Sequence, residues 1–346
     1  MTPVRIIQVG MGGWGQDWMK RVLMKEVEAH TVAHVDTSPV VLQQFQQQFK
    51  QPKDICFETL ETAFASVDAE AVLITAALPA HVPTVLAAIE AGKHVLVEKP
   101  FAPTLAEAQQ LVDTAQKHNR ILMVSQNYRF FPAVQAVTTL LKEKPLGAIG
   151  TIHVNFRFNM GAFLSDDHRY FTSFQPLLAD MAIHHFDLMR LTLGQNATQV
   201  SCVTWKPSWS KFRDPSTAAA TITFDDGICV NYRGSWDSTG TATQWAGEWN
   251  IECADGEITW SSRVSGEDMS GDWVKIQRAD AEPETVALPT MSTVDRVGSL
   301  TAFANAIRSG QPPTCSGYDN LGSIALMNTA IESSKTGTTL DVPQVH

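Results

Sequence analysis

A lysine, two aspartates and a histidine stand at positions from which they could move a hydride and a proton. Glu98-Lys99-Pro100 closes the apolar run His94-Val95-Leu96-Val97, so Lys99 falls where a buried parallel strand would end. Ligands of such sheets bind just beyond the carboxyl ends of the strands. Downstream, Asp180, His184 and Asp187 follow at spacings that put all three on one face of a helix. Apolar Met181, Leu188, Leu191 and Leu193 surround them, so that helix reads as largely buried, and a buried ionisable cluster needs a reason. As chemistry, His184 fits a general base that takes the proton from a hydroxyl while the adjacent carbon gives up hydride. A neutral imidazole, with an ordinary pKa of about 6.5, suits that task. Asp180 could orient the imidazole or contact the hydroxyl, and Lys99 could polarise the reacting oxygen. His185 reads as structural, and Asp187 as a group that holds the helix by hydrogen bonding. The competing reading of His184 is a satisfied core histidine among capping acids. No metal is expected, because Asp-x-x-x-His-His is not a usual ligand spacing and no cysteine joins it.

The hydride acceptor has its own segment. The apolar run Val4 to Val9 is followed at once by Gly10-Met11-Gly12-Gly13-Trp14-Gly15, and then by helical character from Gln16 to Val27. In such a Gly-x-Gly-x-x-Gly turn the first glycine permits the bend and the second admits a pyrophosphate close to the backbone. The third lets helix and strand pack tightly, with helix N–H groups aimed at the phosphates. The next run, Thr31 to Val35, ends at Asp36, where a carboxylate can hydrogen-bond ribose hydroxyls. No Arg or Lys follows until Lys50, so nothing local welcomes a 2′-phosphate, and NAD is expected over NADP. Further apolar runs at Ala71 to Thr75, His94 to Val97 and Ile121 to Val124 alternate with helical stretches. That alternation means a parallel sheet covered on both faces. Thr75, Lys99 and Asn127 lie at or just past strand ends, where a bound dinucleotide would meet them.

The second half changes period. From Thr151, apolar Ile152, Val154, Phe156 and Phe158 alternate with polar residues. Asp225-Asp226-Gly227 and Ala254-Asp255-Gly256 are hairpin turns between strand-like runs, and consecutive hairpins make an antiparallel sheet. Seven of the nine tryptophans fall in this half, where sheet and interface packing is the simplest use for them. Ser261 to Pro289 reads mainly as polar loops around one strand near Trp273, and Val294 to Arg308 and Asn320 to Ser333 as closing helices. His168-Arg169-Tyr170 precedes the Asp180–Asp187 stretch in a polar loop, so Arg169 and Tyr170 are candidates to touch substrate hydroxyls. Arg129 is open between a ligand contact and an ion pair bracing the domain junction.

These landmarks together resemble the Gfo/Idh/MocA oxidoreductases, named for glucose–fructose oxidoreductase, inositol dehydrogenase and a rhizopine-catabolism protein. The likeness is carried by Ala87 to Pro100, by Asn127-Tyr128-Arg129-Phe130 and by Asp180-Met181-Ala182-Ile183-His184-His185-Phe186-Asp187. The resemblance implies an N-terminal Rossmann domain, placed at residues 1–125. It also implies a C-terminal α/β domain with a large, mostly antiparallel open sheet, at residues 126–346, and a nicotinamide in the cleft between the two. It makes Lys99 the family's lysine and Asp180 and His184 its catalytic acid and histidine. Gly10, Gly12, Gly13, Trp14, Gly15, Asp36, Thr75, His81, Glu98, Lys99 and Asn127 are then the cofactor-binding set. Two departures stand out: Ala76-Ala77-Leu78 replaces the family's Thr-Pro-Asn-like residues, and Gln175-Pro176 stands where glycines are common.

Bulk properties fit this picture. The 346 residues suffice for two domains, and 44% hydrophobic with 18% charged residues is ordinary for a globular protein. A net charge of −10 argues against nucleic acid and anionic membranes as partners. The five scattered cysteines suggest reduced thiols in the cytoplasm, and no leader or membrane span is read. The expected function is hydride transfer between NAD and a secondary hydroxyl of a sugar, inositol or related polyol, by a homodimer or homotetramer paired through the C-terminal sheet. An NAD-dependent redox-neutral glycosidase and a non-catalytic dinucleotide sensor are the alternatives on the same fold.

Overall fold

Short, mostly apolar runs make six parallel strands. They are β1 (Val4–Val9), β2 (Ala29–Val35), β3 (Cys56–Phe57), β4 (Ala71–Ile74), β5 (His94–Val97) and β6 (Leu122–Val124). Of these, β1, β4, β5 and β6 are buried along almost their whole length. The computed structural model describes residues 2–25 and 28–345. The strand order is β3-β2-β1-β4-β5-β6, so the chain reverses its direction of travel between β1 and β4, the crevice where doubly wound sheets take ligands. Helices α1 (Gly13–Arg21), α2 (Pro39–Phe49), α3 (Leu60–Ser66), α4 (His81–Glu90) and α5 (Leu105–Lys117) connect the strands. Ser38, Thr59 and Thr104 cap three of them by accepting from backbone N–H groups in the first turn. The helix expected from Gln16 starts earlier, at Gly13, and stops at Arg21. Val22 leaves helical geometry at φ −122°, and only a 3-10 turn, Leu23–Lys25, follows. The expected end at Val27 lies outside the described residues.

The second unit is built on a nine-stranded sheet. Its strands are β7 (Ile149–Arg157), β8 (Ala197–Trp205), β9 (Thr217–Phe224), β10 (Cys229–Ser235), β11 (Glu248–Cys253), β12 (Gly256–Ser261), β13 (Trp273–Arg278), β14 (Glu284–Thr285) and β15 (Leu340–Asp341). They run in the order β14-β13-β12-β11-β7-β10-β9-β8-β15. All pairings are antiparallel except β7 with β10. The period-two reading of β7 holds: Ile152, Val154 and Phe156 are buried and their neighbours are half-exposed. Both expected hairpins form, across residues 225–227 and 254–255. Helix α6 (Pro132–Glu143) packs on β12 and β13 and against α8 (Ile183–Leu193), with a single turn α7 (Met160–Phe163) between them in sequence.

Helices α9 (Asp295–Ser309) and α10 (Gly317–Thr336) close the chain. The compact units are discontinuous: Met1–Asn127 with Arg296–Leu321, and Tyr128–Asp295 with Gly322–His346. A single cut near residue 125 does not capture the return of Arg296–Leu321. Within the first unit that segment is tied to the Rossmann core. Ser316 bridges Met123, Val124 N donates to Cys315 O at 2.9 Å, and Arg308 pairs with Glu28 at 2.6 Å. Among the described residues, no helix is long and apolar enough to cross a membrane.

Candidate active site

The glycine turn is shaped from below by side chains. Thr75 Oγ1 lies 3.0 Å from Val9 O and 2.8 Å from Gly10 O, and Gln8 Nε2 donates to Gly15 O at 2.8 Å. Gly10 has φ +92°, and a Cβ there would meet the Ala76 backbone at 2.5 Å. A Cβ on Gly15 would fall 1.8 Å from Gly10 O. Both glycines are therefore required by the fold itself. Gly12 and Gly13 differ, since a Cβ on either would meet nothing within 4 Å. They leave an open cradle at the N-terminus of α1, whose first turn holds no acid. That combination fits a pyrophosphate. Asp36 closes the rim: Oδ2 accepts from Met11 N at 2.7 Å and Oδ1 from Ser38 N at 2.9 Å. The contribution of Gln8, fully buried on β1, was missed from sequence, where it reads only as an interruption of an apolar run.

Lys99 is carried on a backbone fixed by its neighbours. Glu98 is buried and accepts from Trp18 Nε1 at 2.6 Å. Burial pushes its carboxyl above the usual range, against the pull of Arg296 and Lys99. His81 Nδ1 lies 2.9 Å from Pro100 O and Nε2 3.0 Å from Ala76 O, and the neutral ring donates its single N–H to one of the two. It therefore ties the turn after β4 to the turn that carries Lys99, and burial lowers its pKa. Asn127 is buried in a 3-10 turn, Asn127–Arg129, just past β6. Trp14, half-exposed beside the cradle, lies under the Arg296 guanidinium at 4.6 Å.

In the second unit the helix that carries the ionisable residues is not α-helical throughout. Gln175 takes φ 42°, and Pro176–Ala182 winds as a π-helix before α8 begins at Ile183. Asp180 therefore lies in the π turn, and His184 and Asp187 lie in α8. Each of the three makes a contact with a side chain outside this helix. Asp180 Oδ2 accepts from Tyr170 OH at 2.6 Å. The His184 ring stacks on Tyr128, with centroids 4.0 Å apart and planes 2° from parallel. Asp187 receives Arg129 through two bonds of 2.6 Å. Arg129 is thus an ion-pair partner within this unit.

His185 is fully buried between Tyr232 OH (3.1 Å) and Trp245 O (3.0 Å), and burial lowers its pKa to about 4. It is structural. Tyr170 turns inward while neighbouring Arg169 is exposed, so the two do not act as a pair. Tyr128 and Arg263 were missed: Arg263 Nη1 donates to Tyr128 OH at 3.1 Å and its Nε lies 3.4 Å from Asp295 Oδ1. Burial raises the Tyr128 pKa to about 12. Arg263 sits in a stretch that reads as polar loop, and no local signal marks it. Among the described residues no three His, Cys, Asp or Glu side chains gather as a metal site would require.

A six-stranded parallel sheet in this order, with an open glycine cradle at its crevice, is the arrangement of a dinucleotide-binding fold. Residues 4–126 match the Gfo/Idh/MocA oxidoreductase family's NAD-binding Rossmann fold, and residues 134–259 match the family's C-terminal domain. Inositol 2-dehydrogenase of Agrobacterium fabrum is 30% identical over 242 residues, 68% of this chain and 69% of that protein. D-Apiose dehydrogenase of Paraburkholderia graminis is 26% identical over 280 residues, 78% of this chain and 72% of the other. A crystal structure of an oxidoreductase from Agrobacterium radiobacter with NAD+, L-tartaric acid and magnesium shares the fold, with a TM-score of 0.81 at 22% identity over 99% of each chain. The chain belongs to the Gfo/Idh/MocA family and is an NAD(P)-dependent dehydrogenase.

Proposed function

We propose that this protein oxidises a secondary hydroxyl of a sugar, inositol or related polyol, passing the hydride to NAD. The observation that carries the reading is the coexistence of the open Gly12–Gly13 cradle with an ionisable set, Lys99, Asp180 and His184, each held by its own neighbours. Relatives named for inositol and D-apiose support the substrate class. Bound NAD supplies the hydride acceptor. Gly10, Gly12, Gly13 and Gly15 receive its pyrophosphate on the α1 N-terminus, flanked by Trp14. The Asp36 carboxylate meets the adenosine ribose and repels a 2′-phosphate, which supports NAD over NADP. Thr75 holds the glycine turn, His81 and Glu98 hold the turn that carries Lys99, and Asn127 would contact the cofactor.

His184 takes the hydroxyl proton at a ring nitrogen, its plane set by Tyr128. Asp180 stabilises the imidazolium that forms, and the Lys99 ammonium stabilises negative charge building on the reacting oxygen. We place the protein in the cytoplasm, supported by five free cysteines. We also propose a homodimer or homotetramer paired through the polar face of the nine-stranded sheet.

The test is NADH absorbance across a panel of sugars, inositols and sugar acids, with Lys99→Ala as control. One substrate should reduce NAD, and Lys99→Ala should lower kcat/KM by about 10²–10⁴-fold. Tight NAD binding with no net reduction, together with glycoside cleavage, would replace this reading by the redox-neutral one.

A further inference from the structure

We infer that the first unit carries a second ligand site, which takes a small carboxylate with an apolar body. It is a half-open cavity of about 380 Å³ at the β6 edge of the parallel sheet, away from the β1–β4 crevice. That volume falls at the lower end of the ~300–1,000 Å³ typical of small-molecule sites. One wall is α5 with the run into β6, through Val112, Ala115, Ile121 and Leu122. The other is the segment that returns to this unit, through Pro312, Pro313 and Tyr318. The start of α10 packs tightly on the first wall: a Cβ on Gly317 would fall 2.8 Å from Leu122 Cδ2 and 3.3 Å from Val112 Cγ2. Arg120, in the turn between α5 and β6, is the only charged side chain of the lining among the described residues. Its Nε is buried without a hydrogen-bond partner, and no carboxylate pairs with its guanidinium among the described residues. Burial and then the Arg120 charge lower the His94 pKa, with Glu70 opposing. Neither neighbour answers the guanidinium. His94 Nδ1 accepts from Ile121 N at 2.9 Å, and Glu70 accepts from Arg5 N at 3.0 Å with the Arg5 Nη2 3.8 Å away. A buried donor left without an acceptor is costly, and a small turn of the side chain would offer its Nε–Nη edge, which grips a carboxylate through two parallel bonds. Apolar walls around one cation select an anion whose remaining surface is apolar, an arene or branched-alkyl carboxylate. The occupant would lie beside the ties of the returning segment to β6, Ser316 to Met123 and Val124 N to Cys315 O.

The experiment titrates the full chain, saturated with NAD, with benzoate, benzyl alcohol and inorganic phosphate by calorimetry, with thermal unfolding alongside. Benzoate should bind with a Kd of about 1 mM or below and raise the melting temperature by mass action. Benzyl alcohol has the shape without the charge, and phosphate the charge without the apolar body. Each should bind at least ~10-fold more weakly than benzoate. Arg120→Gln should weaken benzoate by ~10-fold or more, Tyr318→Ala should weaken it several-fold, and Lys99→Ala should leave it unchanged. No saturable benzoate binding up to about 10 mM would overturn the inference, as would benzyl alcohol or phosphate matching benzoate. Unchanged benzoate affinity in Arg120→Gln would also overturn it. Affinity lost in Lys99→Ala instead would assign the binding to the candidate active site and sink the second site. Should Arg120→Gln fail to fold, the order of the three ligands and the Tyr318→Ala titration decide the matter by the same outcomes.

Discussion

Arg129 and Asp187 form a two-bond ion pair whose side chains are only 3% and 2% exposed. Asp187 also accepts from Ser323 Oγ at 3.1 Å, with Arg190 at 3.9 Å. Such a pair gains little over an apolar one, but losing a single partner strands the other charge. Arg129→Met should therefore cost about 3–5 kcal/mol in denaturant unfolding, and Arg129→Met with Asp187→Leu should recover part of that loss. Equal stability of the single variant and wild type would refute the account. Residue types were legible in the sequence wherever one group implied its own partner: Asp187 as a holder, His185 as structural, Arg129 as an ion-pair candidate. Tyr170 was read as a candidate substrate contact, and its bond to Asp180 depends on a turn geometry that spacing alone does not reveal. Arg263 was invisible, because its contact with Tyr128 joins residues 135 positions apart.

Among the elements, the glycine turn makes a graded prediction. Gly15→Ala places a Cβ 1.8 Å from Gly10 O and must break the strand–helix contact, so it should destabilise the fold and abolish NAD binding together. Gly12→Ala meets no atom within 4 Å and sits at φ −65°. It should keep the wild-type melting temperature to within ~2 °C yet weaken NAD at least several-fold by filling the cradle. Calorimetric titration and thermal unfolding of both variants separate the two roles; identical behaviour would show that the distinction is wrong. The turn, the parallel strands and both hairpins could be read from the chain because each is set by local chemistry: glycine at a bend, period-two alternation, Asp-Gly at a turn. The π turn could not. Asp180, His184 and Asp187 keep α-helical spacing in the sequence, whereas the π turn follows Gln175 at φ 42° and packs on β9 and β10.

For the whole molecule, pH is the lever. Burial depresses the pKa of His34 and of His185 from 6.5 to about 4. A histidine whose folded pKa lies below its unfolded one binds more protons when unfolded, so stability rises with pH across that window. Both groups contribute fully above pH 6.5, and their contribution is lost as the pH falls toward 4. The melting temperature should thus drop steeply from about pH 6.5 downward, and His34→Leu, which keeps the apolar packing on Phe45, should flatten part of that fall. A profile unchanged by the substitution would show that His34 is not one of the responsible groups. The two-unit plan was readable from the change of hydrophobic period near Thr151. The return of Arg296–Leu321 to the first unit was not, because a helix that closes a chain carries no mark of which core it joins.

That return has a consequence for how the protein comes into being. A ribosome delivers the chain from its N-terminus, and domains usually fold as they emerge. Here the NAD-binding unit is still short of the partner for Glu28, the strand-edge bridge to Met123 and the guanidinium over Trp14 until residues 296–321 have been made. The second unit's sheet, apart from its two-residue β15, is synthesised before the first unit is finished. The dinucleotide fold is completed only after most of the second unit has been made, so neither unit is a module that can be released or exchanged by one cut.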